Sequence, residues 1–172
     1  KQVPSMGHKV ICFHPQAQGN EEQNSFVIRG REIETPYYLV SLNDYGQITR
    51  LYDRTFDREV LAEGERGNVL QMFEDKPLDN DAWDIDIYYQ QKMREITELT
   101  AFEVTECGPL KLTIHMEWKY MKSMISQDMS MYRDSRRIDF KTDVDFRERQ
   151  QLLKAAFPVD IRSTYATYDV HY

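Results

Sequence analysis

The sequence predicts an all-β fold, a large antiparallel β-sandwich. Three observations carry this reading. The dominant hydrophobic period is two, as in KLTIHMEWK and RIDFKTDVDFR. Turn residues punctuate the apolar runs. No stretch shows three helical turns of apolar residues at 3.6-residue spacing. Period two with one polar face is the mark of half-buried antiparallel strands. Many long strands without interleaved helices favour a sandwich over an α/β fold.

The elements follow in chain order. The opening KQVPSMGHKV turns strand-like, and residues 16–24 are polar and patternless. Residues 1–24 are therefore expected to be a lead-in strand and linker, and residues 25–172 the sandwich domain. Tyr38, Val40 and Leu42 alternate with polar neighbours. Beyond them Ile48 and Tyr52 take one side and Leu51 the other. Between these runs lies Asn43-Asp44-Tyr45-Gly46, where a glycine near the end suits a positive φ and a hairpin. EGERGN (63–68) is a loop by composition. Ile85 and Ile87, alternating with Asp84, Asp86 and Tyr88, read as the start of a strand. Gly108-Pro109 divides TAFEVTEC from LKLTIHMEW and predicts a second hairpin. In the latter run Leu112, Ile114, Met116 and Trp118 face inward, with Lys111, Thr113, His115, Glu117 and Lys119 outward. In RIDFKTDVDFR, Ile138, Phe140, Val144 and Phe146 share one side and the charges the other. Residues 147–153 form one short helical turn at most. The terminal ATYDVHY reads as a strand, so the sandwich is expected to be incomplete at its C-terminal end and the chain to be cut from a longer one.

Composition narrows the function. A chain of 172 residues can bury a core without disulfide or metal staples. Lys and Arg number 22 against 29 Asp and Glu, a net charge of −7. Nucleic-acid binders and anionic membrane surfaces call for a basic stripe, and none is present. No apolar run is long enough for a helical membrane span. Cys12 and Cys107 lie far apart and outside any CxxC pair, which fits reduced thiols. Together with the missing leader this sets the expectation of a cytoplasmic, bacterial protein.

Chemistry has few candidates. His8, His14, His115 and His171 show no ligand-pair spacing, so no metal is assigned to them. DNDAWDID lacks the glycine and glutamate of a calcium loop. No GxSxG, Cys–His pair or glycine-rich phosphate loop appears. What remains is FEDKPLDNDAWDIDIYYQQ (73–91), dense in carboxylates and aromatics. Paired carboxylates among Asp79, Asp81, Asp84 and Asp86 suit glycoside chemistry. Trp83 beside them suits a sugar, whose C–H face stacks on indole while its hydroxyls bond carboxylates. A plain acidic loop with Trp83 plugged into the core is the competing reading.

Three segments resemble one family. YYLVSLNDYGQITRLYDRTFDREVL (37–61) is similar to the passage opening the C-terminal β-domain of glycoside hydrolase family 38 α-mannosidases. GNVLQMFEDKPLDNDAWDIDIYY (67–89) and RQQLLKAAFPVDIRSTYATYDVHY (149–172) resemble two later segments of the same domain, in the same order. The short VPSMGHKV resembles the lead into it. The resemblance implies a galactose-mutarotase-like supersandwich. It implies a parent enzyme that is a retaining, metal-dependent and homo-oligomeric α-mannosidase, with its nucleophile and its zinc or other divalent ion in a catalytic domain this chain does not match. It assigns no catalytic or metal-binding residue here and no cofactor to this fragment. The fragment's partners are then the catalytic domain of the same chain and, through it, an α-mannoside. Asp79, Asp81, Trp83 and Asp84 are expected to shape the substrate pocket or dock the two domains. The alternatives are a stand-alone carbohydrate-binding sandwich and a structural interaction module.

Overall fold

The computed structural model describes residues 6–8, 10, 12, 25–80 and 83–165. Most of the lead-in, the whole polar stretch 16–24, the terminal ATYDVHY, His14, His171 and Asp81 lie outside the described residues. Twelve strands appear: β1 (Val27–Arg29), β2 (Glu32–Glu34), β3 (Tyr38–Leu42), β4 (Ile48–Asp53), β5 (Arg58–Glu59), β6 (Val69–Glu74), β7 (Met93–Glu95), β8 (Leu99–Cys107), β9 (Lys111–Tyr120), β10 (Ser123–Tyr132), β11 (Ile138–Asp145) and β12 (Gln151–Ala156). The only described helix is a 3-10 helix, Ile87–Gln91.

All pairing is antiparallel and makes three sheets. Their orders are β1-β2-β3-β4-β5, β11-β10-β9-β8 and β12-β6-β7. Two bridges, Ile48 with Gly67 and Leu61 with Val159, tie the first sheet to the chain flanking the third. The four-stranded sheet is a meander of consecutive hairpins, the simplest order for strands with short turns between them.

One core serves all three sheets. Val40 and Ile48 from the first, Met72 from the third, and Ile114, Met116 and Met129 from the second belong to a single buried cluster. The fold is thus an antiparallel β-sandwich, as the period-two pattern predicts. Residues Leu112, Ile114, Met116 and Trp118 are all buried, on the inward face assigned to them. Each such side chain stabilises the fold by about 1.5–3 kcal/mol relative to exposure.

The predicted turns form. In the β3–β4 hairpin Gly46 has φ +75°, and Asn43 Oδ1 accepts from the N–H groups of Tyr45 and Gln47, both at 3.0 Å. Over it lies Trp118, whose Nε1–H donates to the Tyr45 carbonyl at 2.8 Å. At Gly108 the β8–β9 hairpin closes, with its N–H bonded to the Lys111 carbonyl at 3.0 Å.

Three local expectations are corrected. Ile48 and Leu51 both join the core, and the register shift at Ser41/Leu42 in the β3–β4 ladder is the reason. A bulge resets which residues share a face. Residues 147–153 do not form a helical turn, because β12 pairs with β6 from Gln151↔Glu74 onward. Ile85 and Ile87 do not begin a strand. They are exposed, Ile87 opens the 3-10 helix, and no strand among the described residues pairs with them.

Asn68, Gln127 and Asp53 place polar groups inside the sandwich, and most of these find partners, while Asn68 Oδ1 has none among the described residues. Asn68 Nδ2 donates to Gln127 Oε1 at 2.8 Å, and Gln127 Nε2 donates to the Thr142 hydroxyl at 2.9 Å. Asp53, only 6% exposed, accepts from Arg136 Nη2 and from the N–H groups of Thr55 and Phe56. A buried charge of this kind is tolerable only when paired and hydrogen-bonded.

Candidate functional site

The acidic–aromatic segment leaves the sandwich at the end of β6 and returns at β7. Nothing in its sequence repeats with period two long enough to hold a strand, so it forms a looped excursion. Asn80 takes φ +57°, a left-handed conformation asparagine tolerates. Its carbonyl then accepts from the N–H groups of Trp83 (2.7 Å) and Asp84 (3.1 Å). Asp86 Oδ2 accepts from the Leu78 N–H at 3.0 Å and closes the loop.

Trp83 is 88% exposed, which overturns its placement as a core plug. The turn that Asn80 fixes lies between β6 and the 3-10 helix, outside any described strand, so no ladder sets its tryptophan on the core face. Asp79 and Asp84 are exposed, and neither carboxylate has a hydrogen-bond or ion-pair partner among the described residues. Three of the four residues singled out from sequence, Asp79, Trp83 and Asp84, therefore lie on one exposed turn. The fourth, Asp81, lies outside the described residues.

The segment is also apolar on its outside. Leu78, Trp83, Ile85, Ile87 and Tyr88 are all more than half exposed. The short alternation that predicts a strand at the two isoleucines conceals this surface. The signal in the sequence is five large apolar residues interleaved with the four aspartates Asp79, Asp81, Asp84 and Asp86.

The base of the segment is held by charge. Glu74 forms ion pairs with both Lys76 and Lys92. The hydrogen bond from Lys76, then that from Lys92, pulls its carboxyl down to about 2. Tyr89 is half-buried, its ring edge-on to Phe73 at 5.1 Å, and Lys154 Nζ donates to its hydroxyl at 2.9 Å. That ammonium lowers the phenol below its ordinary range. A concavity of about 200 Å³ opens here, lined by Glu74, Lys76, Asp86, Tyr88, Tyr89 and Lys92.

Elsewhere the chemistry is structural. On the outer face of the four-stranded sheet, His115 Nδ1 bonds Asp128 at 2.7 Å and Nε2 lies 3.4 Å from Glu117. The Asp128 bond raises the imidazole above its ordinary value. Among the described residues no three His, Cys, Asp or Glu side chains converge as a metal site. The described residues do not fit a metal ion.

What the exposed turn can do is bind. An indole face offers a stacking surface, and two unpartnered carboxylates accept hydroxyl hydrogen bonds. The surrounding apolar side chains suit a covering partner.

The sequence matches the profile of the glycosyl hydrolases family 38 C-terminal domain over residues 33–172. It is 31% identical over 146 residues to Alpha-mannosidase G of Dictyostelium discoideum, covering 81% of this chain and 13% of that protein. It is 28% identical over 180 aligned positions to human Alpha-mannosidase 2C1, covering 99% of this chain and 17% of that one. Alpha-mannosidase of Saccharomyces cerevisiae is 28% identical over 141 residues, covering 74% and 13%. The chain thus spans less than a fifth of the length of these relatives.

Proposed function

The chain belongs to the family of glycosyl hydrolases family 38 C-terminal domains, and on that premise we propose that it is the accessory β-domain of a retaining, metal-dependent α-mannosidase. The domain shapes the enzyme and does not perform its chemistry. In this reading the metal and the nucleophile belong to the catalytic part of the same protein. Asp79, Asp81, Trp83 and Asp84 form the edge that meets that part, beside the α-mannoside.

One observation carries the proposal. Five large apolar side chains, Leu78, Trp83, Ile85, Ile87 and Tyr88, stand exposed on one loop. Left in water they stabilise nothing. Covered by a partner, each contributes up to about 1.5–3 kcal/mol. The unpartnered Asp79 and Asp84 add polar contacts at the same edge, which is the usual make-up of an apolar patch rimmed by polar groups.

The test is Trp83→Ala in the full-length enzyme, assayed on an aryl α-mannoside. The expected result is a fall in kcat/KM of about tenfold, or ~1.4 kcal/mol of transition-state stabilisation. Wild-type kcat/KM would sink the proposal.

The exposure of Trp83 between two free carboxylates favours a second reading, a carbohydrate-binding surface in its own right. Calorimetric titration of this domain with short α-mannosides separates the two. Heat of binding that disappears in Trp83→Ala selects the sugar platform. No binding by the domain, with activity lost in the enzyme variant, selects the docking edge.

A further inference from the structure

A second cleft lies on the other side of the Glu74 ion-pair cluster. It measures about 460 Å³, within the range of small-molecule sites. Its floor is the inward-facing end of the three-stranded sheet, where buried Met72 lies opposite Arg94 and Glu74 lies opposite Gln151. The β9–β10 turn forms the far wall, with Met121 at its tip.

The walls are fixed to each other. Tyr120 donates its hydroxyl to Gln151 Oε1 at 3.2 Å. Glu148 Oε1 accepts from the Lys122 N–H at 2.8 Å and from the Ser123 hydroxyl at 3.2 Å. Met121 and Gln150 take φ of +51° and +53°, so the backbone turns sharply on both sides. The opening is therefore set by the fold and does not depend on an occupant.

Its charge is opposite to that of the protein. Lys76, Lys92, Arg94 and Arg149 line it against the single carboxylate of Glu74, in a chain whose net charge is −7. Glu74 already holds both lysines. Arg94 and Arg149 have no hydrogen-bond or ion-pair partner among the described residues. Two guanidinium groups that line one cleft with no counter-ion among the described residues supply the donors that recognise an oxyanion in paired N–H···O bonds. Met93 and Met121 at the rim offer adaptable apolar contact for whatever carries it.

We propose that this cleft binds a small phosphorylated ligand, with its oxyanion on Arg94 and Arg149 and its carbon body against Met93 and Met121. The proposal stands on this cleft alone and does not depend on the mannosidase reading.

The experiment is calorimetric titration of the protein with inorganic phosphate, with a hexose 6-phosphate and with the neutral hexose. The expected result is binding of the two phosphates and none of the neutral sugar at this cleft. In the double variant Arg94→Gln/Arg149→Gln the dissociation constant rises at least about tenfold, which is ~1.4 kcal/mol. Both arginines are exposed, so circular dichroism and the thermal midpoint should match wild type. The single variants Arg94→Gln and Arg149→Gln, each weakening binding about threefold, carry the test if the double variant folds poorly. Lys141→Gln, on the outer face of the four-stranded sheet, should bind as wild type. Tighter binding of the hexose phosphate than of phosphate places the carbon body in the cleft; equal binding assigns the site to the oxyanion without the body. No phosphate binding, or binding indifferent to both arginines, overturns the proposal.

Discussion

Trp118 and Trp83 are the protein's two tryptophans, 1% and 88% exposed. Trp118 sits in β9, where three more inward residues at period two commit its side before any contact forms. Its indole N–H finds the Tyr45 carbonyl, and its ring covers the β3–β4 turn. Trp83 follows a left-handed Asn80 in a loop outside every described strand. The same residue type becomes a core member in one place and a surface in the other. What decides is the company of the strand, not hydrophobicity, and that is why Trp83 is available to the partner proposed above where Trp118 is not.

The sharpest way to break this comparison is to remove the buried indole. Trp118→Ala is expected to lower stability by about 3–5 kcal/mol, since it leaves a large void and an unbonded Tyr45 carbonyl. Urea unfolding followed by circular dichroism measures it, and a loss below about 1 kcal/mol would mean the ring is not packed as described. Next comes the turn beneath it. A Cβ at Gly46 would lie 2.7 Å from Trp118 Cζ2 and 3.1 Å from Met116 Sδ, at a φ of +75°. Gly46→Ala should cost about 2–4 kcal/mol, from the left-handed backbone and the overpacked ring together. The same denaturation series tests it, with Gly64→Ala as a comparison that keeps the positive φ but meets open space. The smallest effect belongs to the exposed ring. Trp83→Ala should shift stability by no more than about 0.5 kcal/mol. A larger loss would show that Trp83 packs within the domain, and would remove the basis for a covering partner.

Legibility in the sequence followed the same division. β9 and β11 could be read because polar and apolar residues alternate through β9 and, with Thr142 as the one interruption, through β11. β10 could not, because Ser123 and Gln127 are buried on the apolar side and blur the pattern. Gln127 belongs there because Asn68, distant in sequence, bonds it. β12 was hidden behind a charged lead, and only its pairing with β6 makes it extended. β1, β2 and β5 have two or three residues each, too few for any period to show. At the candidate site the residue types were legible, and Asp79, Trp83 and Asp84 do share a turn. Their exposure was not, since a lone tryptophan in a loop has no neighbours at fixed spacing to say which way it faces. The basic cleft was invisible for another reason. Glu74, Arg94 and Arg149 come from three separate stretches, and only the sheet brings them together.

The three-stranded sheet also sets an order of events when the chain is made. β6 pairs with β7 on one edge within about twenty residues, but its other edge waits for β12. Some eighty residues separate Glu74 from Ala156, so at ribosomal speed that edge stays open for roughly 4–16 s. For that interval the apolar backbone of Val69 to Phe73 presents unpaired amide and carbonyl groups, the part of the nascent protein most open to pairing with a wrong strand.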